Sequence, residues 1–411
     1  MKIWFVSIFE NTPVDDNQNT RYNSLVKEAL RRGHSVTYWA STFKHNVKEQ
    51  RYSESTVLNP EERLELRFVK SAGYSKNISL GRLLSHRSFA KNLVGEFEQQ
   101  DKPDLVMMAF PPISVADKVS DWAERNNITC ILDVIDPWPD VFAEHLKYLP
   151  DLLISPLRRS VGRSLNRVDA VTAISNQYID WAREYNSDLE NTRCFYPAVQ
   201  FDEMQQELLE ASANTQKTDS GLTVIYAGSL GYSYDIKTIL LAAGKLEKTF
   251  GDDLRFIIAG DGPQKDIVTD YEKNHGNLTY VGRVPKNKLM EYYYLADVGM
   301  TQHIEGATQS VTYKLFDLLA CGLPIMNSLE SEMKDIILDN NVGLHNQPGD
   351  VDSLFRNLTR LYNDRSLLKQ MSSNAIDLTK EKGDSGKVYA EFIDFVESLS
   401  QQRESLELGD Q

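Results

Sequence analysis

Short apolar runs alternate with helical stretches along almost the whole chain. Several runs are apolar nearly throughout, which is typical of parallel strands that are covered by helices on both faces. From Arg21 to Arg32 the apolar residues fall on one helical face, and Gly33 is placed to end that helix. In the first half the predicted strands are Ile3–Phe9, Val36–Ala40, Leu64–Val69, Leu105–Phe110, Cys130–Ile135 and Ala170–Ile174.

The pattern restarts in the second half after a polar stretch without strand signals. The predicted strands there are Leu222–Ala227, Leu254–Ala259, Leu278–Val281, Val298–Thr301, Pro324–Asn327 and Val342–His345. We therefore predict an α/β protein with an N-terminal Rossmann-like domain over 1–200, a linker over 201–220 and a second Rossmann-like domain over 221–384. An amphipathic helix over 385–402 must bury its apolar stripe, and we expect it to cross back to the first domain.

Composition narrows the classes of protein that the chain can represent. Of 411 residues, 41% are hydrophobic, and the formal net charge is −14, which disfavours nucleic acid as a partner. The three cysteines form no CxxC pair, so they indicate neither a metal site nor a disulfide framework, and they suit a reducing cytoplasm. No apolar stretch is long enough for a transmembrane helix.

The strongest candidate chemistry lies in the segment from Thr312 to Pro324, TYKLFDLLACGLP. Lys314 would stand in the first turn of a helix, where the backbone already favours an anion, and its ammonium would suit a diphosphate. Asp317, one turn later, could accept hydrogen bonds from ribose hydroxyls. The alternative is a Lys and an Asp on the solvated face of an ordinary amphipathic helix.

This segment resembles the nucleotide-binding signature of glycosyltransferase family 4, in particular a bacterial cell-surface polysaccharide branch of the GT-B superfamily. The family pattern has a Glu, seven residues and a second Glu before an Ala-x-Ala-Cys-Gly-x-Pro run. Gln309 and Asp317 occupy the two Glu positions, so both differ from the pattern, and Glu305 could substitute for the first. In the branch with Lys-Leu-Phe-Asp, the Lys contacts the donor diphosphate.

Further turns after predicted strands agree with the resemblance. Gly228 and Ser229 follow one strand, and Gly260 and Gly262 follow the next, where glycines let a backbone approach a phosphate or simply allow a tight turn. Arg283 lies in the loop that holds the nucleotide base in the family. The predicted donor-binding residues are thus Gly228, Ser229, Gly260, Gly262, Arg283, Glu305, Gln309, Thr312, Tyr313 and Asp317.

The first half is expected to hold the acceptor. Asp133 and Asp136 end a buried strand beside Trp138, and a carboxylate in such a place can exchange a proton with a hydroxyl, although Asp136 could instead cap the next helix. The resemblance assigns Asp136 as acceptor-side acid/base. Asn19 occupies the position of a family glycine after the first strand, and Arg21 could contact an anion in the cleft.

The resemblance implies a GT-B fold, with two facing doubly wound domains and a cleft between them. It implies a retaining glycosyltransferase that needs no metal and no cofactor, with Asp136 and Lys314 as catalytic residues and a UDP-sugar as the donor. The acceptor would be a saccharide or lipid-linked saccharide in cell-envelope polysaccharide synthesis. The alternatives are a sugar-nucleotide epimerase of the same fold and a non-catalytic partner of another glycosyltransferase. A dinucleotide-dependent dehydrogenase is disfavoured because residues 7–20 contain no glycine.

Two basic segments stand out against the acidic whole. Residues 63–91 combine arginines and lysines with interleaved leucines. Residues 158–167 contain Arg158, Arg159, Arg163 and Arg167. Such segments could touch anionic lipid or could be solvated helix faces. We expect a cytoplasmic protein with weak peripheral contact with the inner face of the membrane.

Overall fold

Two compact units make up the protein in the computed structural model. Unit 1 comprises Met1–Tyr196 together with Gly386–Gln411, and unit 2 comprises Pro197–Ser385. The structure describes residues 1–16, 19–77, 79–141, 151–217 and 221–409, without the side chains at 151–153 and 403–409.

Unit 1 is built around a largely parallel sheet. Its strands are β1 (Lys2–Val6), β2 (Ser35–Ser41), β3 (Phe43–Lys44), β4 (Glu49–Gln50), β5 (Thr56–Glu61), β6 (Leu64–Val69), β7 (Leu105–Phe110), β8 (Thr129–Val134), β9 (Ala170–Ala173) and β10 (Thr192–Cys194). Its helices are α1 (Arg21–Arg31), α2 (Leu80–Phe97), α3 (Ile113–Asn126), α4 (Asp151–Leu165) and α5 (Asn176–Tyr185). Eight strands form the sheet in the order β10-β9-β8-β7-β1-β2-β6-β5, and β5 alone pairs antiparallel within it.

A group of aromatic side chains fills the core on one face of this sheet. Trp4 of β1 packs in a stacked arrangement on Trp122 of α3, with ring centroids 5.5 Å apart, and meets Trp39 of β2 edge-on at 5.1 Å. All three indoles are buried. Aromatic pairs of this kind fix the helices against the sheet, and the strand ends that follow are held in place by that packing.

Unit 2 contains an entirely parallel sheet. Its strands are β11 (Leu222–Ala227), β12 (Leu254–Ala259), β13 (Leu278–Gly282), β14 (Val298–Thr301), β15 (Ile325–Asn327) and β16 (Gly343–His345), in the order β13-β12-β11-β14-β15-β16. Its helices are α6 (Phe201–Asn214), α7 (Ile236–Phe250), α8 (Lys265–Asn274), α9 (Lys286–Leu295), α10 (Lys314–Ala320), α11 (Glu332–Asp339), α12 (Val351–Asn363) and α13 (Arg365–Leu378). A 3₁₀ turn lies at Gly251–Asp253 and a π-helical turn at Thr379–Gly383.

The last helix, α14 (Ser385–Gly409), belongs almost wholly to unit 1. Its Phe392 stacks on Phe195 with ring centroids 4.2 Å apart. The turn after α1 also holds it, because His34 Nε2 lies 2.8 Å from a Glu397 carboxylate oxygen and Arg32 donates to the same carboxylate at 3.0 Å. The apolar stripe of the helix is therefore buried against unit 1.

The predicted linker over 201–220 is wrong for its first part, which forms α6. Phe201, Met204 and Ala211 are buried, and Gln205 Nε2 donates to the carbonyl of Ala320 at 2.5 Å within unit 2. Apolar residues three or four positions apart give this helix an inner face. The polar residues between them hid that spacing, so the stretch looked like a linker.

The predicted strands are all present, but shorter ones were missed. The strand that was predicted over Ile3–Phe9 is observed over Lys2–Val6, so it ends three residues earlier than expected. The missed strands are β3, β4, β5 and β10, which have two to six residues. The strands β3 and β4 are too short to show alternation, whereas β5 and β10 are the two edge strands of the sheet and consist mostly of polar or exposed residues.

Candidate functional site

A cavity of about 460 Å³ opens at the carboxyl ends of β11 and β12 in unit 2. This is the edge at which parallel α/β sheets usually bind ligands. The cavity is lined by Ala227, Gly228, Ser229, Ala259, Gly260, Asp261, Arg283, Val284, Leu289, Tyr293, Lys314 and Asp317. Six of the residues predicted for the donor, including Lys314, are thus brought together.

Lys314 contributes a charge that has no hydrogen-bonding partner among the residues that the structure describes. Its ammonium lies over two aromatic rings, 4.7 Å from the ring centre of Tyr226 and 4.2 Å from that of Tyr234. Its Nζ is enclosed and has no hydrogen-bond acceptor among the described residues. Burial lowers the pKa of Lys314 to about 8, and the neighbouring Asp317 only partly opposes this shift. An anion in the cavity would supply the acceptor that is missing.

Gly228 gives the Lys314 side chain its space. A Cβ on Gly228 would overlap the lysine Nζ and Cε, and the residue has φ +150°. Gly260 has φ +144°, and a Cβ there would overlap the carbonyl oxygen of Gly228. Both turns therefore require glycine for close approach.

The amides of these glycines do not face a ligand. Gly228 N donates to the carbonyl of Ala259 at 2.8 Å, and Gly260 N donates to the carbonyl of Gly282 at 2.7 Å. The glycines thus make room for the ammonium and do not present these two N–H groups to a phosphate. Gly262 packs against the backbone of Leu230 and does not line the cavity, so its donor contact stays a prediction.

The start of α10 offers less than the sequence suggested. The helix has seven residues, with Lys314 as the first. The amide of Leu315 already donates to Thr312 O at 3.0 Å, and that of Asp317 to Tyr313 O at 3.4 Å. The amide of Leu315 is thus already bonded within the chain, and the lysine ammonium is the clearer group for holding an anion. An anion contact of the other first-turn amides stays a prediction.

Asp317 lies on the cavity wall together with Lys314. Burial raises the pKa of its carboxyl to about 6, although the charges of Lys286 and Lys314 oppose the shift. Tyr293, on the same wall, has its pKa raised by burial and by the Asp317 charge. A buried carboxylate of this kind gains from hydrogen-bond donors, and ribose hydroxyls are such donors.

Arg283 is exposed and borders the cavity with Val284 and Leu289. A guanidinium beside two apolar side chains suits a planar ring that is stacked on it. Ser229 also lines the cavity, and its carbonyl accepts a hydrogen bond of 2.6 Å from the hydroxyl of Tyr226. Arg283 and Ser229 are therefore placed where they can contact a donor, and their donor contacts stay predictions.

Besides Gly262, four further predicted donor residues do not line this cavity. Glu305 is exposed in the loop before α10, and Tyr313 is 44% exposed. Thr312 Oγ1 donates to Met333 Sδ at 3.5 Å. The amide oxygen of Gln309 is enclosed and lacks a hydrogen-bond partner within the described ranges. Donor contacts for this group therefore remain predictions.

His303 was missed by the sequence analysis. It follows β14, it is buried, and its ring centre lies 5.0 Å from that of Tyr234. Neither ring nitrogen has a hydrogen-bond partner in the part of the chain that is described. Burial and the charge of Lys314 lower its pKa to about 4, so the ring is neutral at pH 7. Its place at the carboxyl end of a buried strand was the available signal.

A larger cavity of about 850 Å³ also lies in unit 2. Three of its charged side chains have internal partners: Lys217 pairs with Asp297 at 3.0 Å, and Arg365 donates to the carbonyl of Gly221. The larger volume favours this cavity as a ligand site, whereas the unpartnered ammonium of Lys314 favours the smaller cavity. We place the site in the smaller cavity because the ammonium of Lys314 needs a partner there.

In unit 1, Arg21 and Asp133 neutralise each other. The guanidinium donates to both carboxylate oxygens, at 2.8 and 2.9 Å, and to the carbonyl of Phe195 at 2.9 Å. Thr172 adds a hydrogen bond of 2.7 Å to the same carboxylate. Both side chains have no exposed surface, so the predicted acceptor contacts are corrected to a structural role.

Asp136 and Trp138 lie together, as expected for a candidate acid/base beside an aromatic ring. The indole Nε1 of Trp138 donates to Asp136 Oδ2 at 2.8 Å, and Asp136 is half-buried. Asn19 is exposed just before α1, where Thr20 caps the helix by accepting from the amide of Asn23 at 3.4 Å. A contact between Asn19 and an acceptor stays a prediction.

Carboxylates pair with arginines of the second basic segment. In residues 158–167, Arg158 pairs with Asp140 at 2.7 Å, and Arg163 and Arg167 pair with Asp117 at 3.3 and 3.6 Å. Carboxylates thus offset most of that segment, which disfavours its proposed lipid contact. None of the helices in the described ranges has the length and apolar character needed to cross a bilayer.

Comparison with solved structures identifies the architecture. Sucrose-phosphate synthase from Thermosynechococcus elongatus superposes with a TM-score of 0.73 over 97% of this chain and 98% of its own, at 15% identity. A structure of HepE from Anabaena in complex with UDP and glucose gives 0.66 over 97% and 100%, at 13% identity. The fold is that of the GT-B glycosyltransferases.

The family assignment comes from the second half of the chain. Residues 209–378, which are less than half of the chain, match the model of the glycosyl transferases group 1 family. The match contains Lys314, Asp317 and the glycine turns, so it confirms the resemblance that was drawn from them.

Two curated relatives support the assignment. One, from Campylobacter jejuni, is GalNAc-α-(1→4)-GalNAc-α-(1→3)-diNAcBac-PP-undecaprenol α-1,4-N-acetyl-D-galactosaminyltransferase, 26% identical over 38% of this chain and 43% of its own. The other is the α-monoglucosyldiacylglycerol synthase of Acholeplasma laidlawii, 28% identical over 34% and 38%. The chain thus aligns with about two fifths of the length of each relative.

Proposed function

We propose that the protein transfers a sugar from a nucleoside diphosphate sugar to a hydroxyl of a saccharide or lipid-linked saccharide, in cell-surface polysaccharide synthesis. The observation that supports this most is the enclosed ammonium of Lys314, which has no hydrogen-bond acceptor among the described residues. It lies in a cavity with a buried carboxylate, Asp317, and an exposed arginine, Arg283. A nucleotide has a matching group for each of them: a phosphate for the ammonium, ribose hydroxyls for the carboxylate and a base for the guanidinium.

In this proposal the diphosphate of the donor accepts hydrogen bonds from Lys314. The ribose donates to Asp317, and the base lies against Arg283 and Val284. The family segment at residues 209–378 supports a sugar-nucleotide donor. UDP is the favoured nucleotide because solved structures of the same fold contain it.

The ammonium would act most strongly on the departing diphosphate. When the bond between sugar and phosphate breaks, negative charge grows on the phosphate oxygen, and a cation that is already in place stabilises that charge. Asp136 would accept the proton of the attacking hydroxyl. Retention of anomeric configuration, without a metal or cofactor, is the outcome that the family resemblance implies.

A lipid-linked acceptor is the favoured class. The relatives' names specify an undecaprenol-linked saccharide and a glucosyldiacylglycerol.

On α2, Leu80, Leu83 and Leu84 are 79%, 41% and 61% exposed, which gives unit 1 an apolar surface. We propose that this surface contacts the membrane weakly. Sedimentation with anionic vesicles tests the contact, and Leu84→Ser should reduce the bound fraction.

The donor proposal is tested by ligand-dependent stability. UDP-, GDP- and ADP-sugars are added to the full chain, and a bound donor raises the melting temperature by mass action. We expect the largest shift with a UDP-sugar and a much smaller shift in Lys314→Met, which keeps the apolar stem. Asp377→Asn, an exposed change on α13, serves as control. An unchanged shift in Lys314→Met would place the diphosphate elsewhere.

A further inference from the structure

A second cluster of basic and aromatic side chains lies in unit 1. It is formed by residues that follow β1 and β8, by the first turns of α2 and by two loops. We define the basic aromatic cluster as Phe9, His45, Tyr74, Arg82, His86 and Trp138. The carboxyl ends of parallel strands meet here, which is the usual place for a ligand in such a sheet.

Arg82 is the centre of the basic aromatic cluster. Its guanidinium carbon lies 4.7 Å from the ring centre of Trp138, 5.1 Å from that of Phe9 and 5.9 Å from that of Tyr74. One nitrogen, Nη1, donates to the carbonyl of Asn77 at 2.8 Å. The Nε group is enclosed, and no acceptor for it lies among the described residues. The rings hold the cation in place while one of its donors has no acceptor.

His86 repeats this situation one turn later on α2. It is 3% exposed, and its ring lies 5.4 Å from Phe9 and 6.3 Å from Trp138. Its Nε2 is enclosed without a hydrogen-bond partner in the described ranges. Two enclosed nitrogens on one helix therefore need partners that this part of the chain does not provide.

The charges around Arg82 are mostly of one sign. Lys48 lies over the ring of Tyr74, and its charge and that of Arg82 each lower the pKa of His45, after the larger effect of burial. Burial also lowers the pKa of Arg82, and two groups oppose this shift: the hydroxyl of Tyr74, which is hydrogen-bonded to the guanidinium, and then the carboxylate of Asp136. A half-buried group of two cations beside one carboxylate is stabilised by an added anion.

We propose that the basic aromatic cluster binds a phosphate group of the acceptor substrate. This inference rests on the proposed glycosyl transfer and adds the chemical class of the acceptor. Arg82 suits a phosphate because its nitrogens match two phosphate oxygens, and neutral His86 can donate one further hydrogen bond. Asp136, whose carboxylate is held by Trp138, borders the same cluster. An acceptor anchored by its phosphate would therefore place a sugar hydroxyl near the proposed base.

The test uses inorganic pyrophosphate as the probe and isothermal titration as the measurement. The full chain carries Lys314→Met, so that the cavity in unit 2 no longer attracts the anion. We expect pyrophosphate to bind this protein and Arg82→Gln to weaken that binding by at least about tenfold. Arg87→Gln is the matched control, since Arg87 is exposed on the same helix and loses the same charge.

Two outcomes would overturn the inference: no pyrophosphate binding in the Lys314→Met protein, or equal weakening by Arg82→Gln and Arg87→Gln. If Arg82→Gln does not fold, Arg82→Lys replaces it, because it keeps the charge but loses the planar fork. Equal pyrophosphate affinity in Arg82→Lys would then contradict the proposal. UDP binding to the wild-type protein reports separately on the proposed function, and it should persist in Arg82→Gln.

The source of the phosphate is settled by two further titrations. One uses a soluble sugar 1-phosphate, and the other uses zwitterionic vesicles that contain a polyprenyl phosphate. Dependence on Arg82 in the first alone indicates a soluble acceptor, and dependence in the vesicles alone indicates a lipid-linked one. The absence of such dependence in both would count against a phosphate-bearing acceptor.

Discussion

Arg21 in unit 1 and Lys314 in unit 2 are both buried cations, but their surroundings differ. Arg21 donates to two oxygens of Asp133 and to a backbone carbonyl. Lys314 has two tyrosine rings and no hydrogen-bond acceptor in the described part of the chain. The charge of Arg21 is balanced within the fold, whereas the charge of Lys314 is available to a bound anion.

This difference separates structural from functional charge better than burial alone. Removing either partner of a buried ion pair strongly destabilises the folded state, because the other charge is left buried without a partner. A buried ammonium without a partner opposes folding, and its burial lowers its pKa. A protein tolerates this cost where a ligand supplies the partner. Mutations of the two residues should consequently move stability and binding in different proportions.

The largest effect is expected for Arg21→Ala. It leaves the Asp133 carboxylate buried without its cation, and breaking such a pair typically destabilises a protein by about 3–5 kcal/mol. Urea unfolding measures the loss, and Arg31→Ala, an exposed change on the same helix, should stay close to wild type. The fraction that remains folded should bind UDP normally. A small effect on stability would mean that Asp133 has another partner.

Lys314→Met should show the reverse pattern. A charged hydrogen bond to a phosphate is lost, which corresponds to about 1.5–3 kcal/mol, or roughly ten- to hundredfold weaker UDP binding. Unfolding should become no easier at pH 7, because the replacement removes a buried charge and keeps the packing between Tyr226 and Tyr234. Calorimetry and urea unfolding on one preparation give both numbers. If stability falls and binding does not, the lysine is structural like Arg21.

The same comparison shows what a sequence can predict. The long parallel strands and the segment around Lys314 follow from runs of apolar residues and from the short motif. Lys314 and Asp317 could be placed together because they are one helical turn apart. The pairing of Arg21 with Asp133 could not, since their sequence separation is large and only the folded sheet brings them together.

Other residues escaped prediction for related reasons. His303 is a lone histidine after a strand, and its enclosure by Tyr234 and the lysine depends on two distant segments. The helix α6 was hidden because polar residues outnumber its three buried ones. Arg82 stood in a basic segment that suggested a solvated or lipid-facing surface, whereas its guanidinium turns towards three aromatic rings.

A pH series sharpens the comparison further. Burial lowers the pKa of Lys314 to about 8 in the free protein, so UDP binding should weaken as pH rises through 8 and the ammonium loses its proton. The expected loss approaches about tenfold per pH unit above that value. Stability should respond oppositely: between pH 8 and the ordinary lysine pKa, the unfolded chain binds more protons, so unfolding costs more as pH rises. In Lys314→Met the step in binding near pH 8 should be absent.

Asp317→Asn tests the carboxylate of the same cavity, with the smallest expected effect. Burial raises the pKa of Asp317 to about 6, so its destabilising effect is absent below the ordinary aspartate pKa and grows as pH rises through 6. At pH 7.5 the variant should be more stable than wild type by about 1 kcal/mol, and at pH 3.5 equally stable. Urea unfolding at both pH values measures this, with Asp377→Asn as control. UDP should bind severalfold more weakly because a ribose contact is lost, whereas pyrophosphate, titrated in the Arg82→Gln background so that only this cavity binds it, should bind at least as well. Equal losses for UDP and pyrophosphate would show that Asp317 holds Lys314 in place and does not contact the sugar.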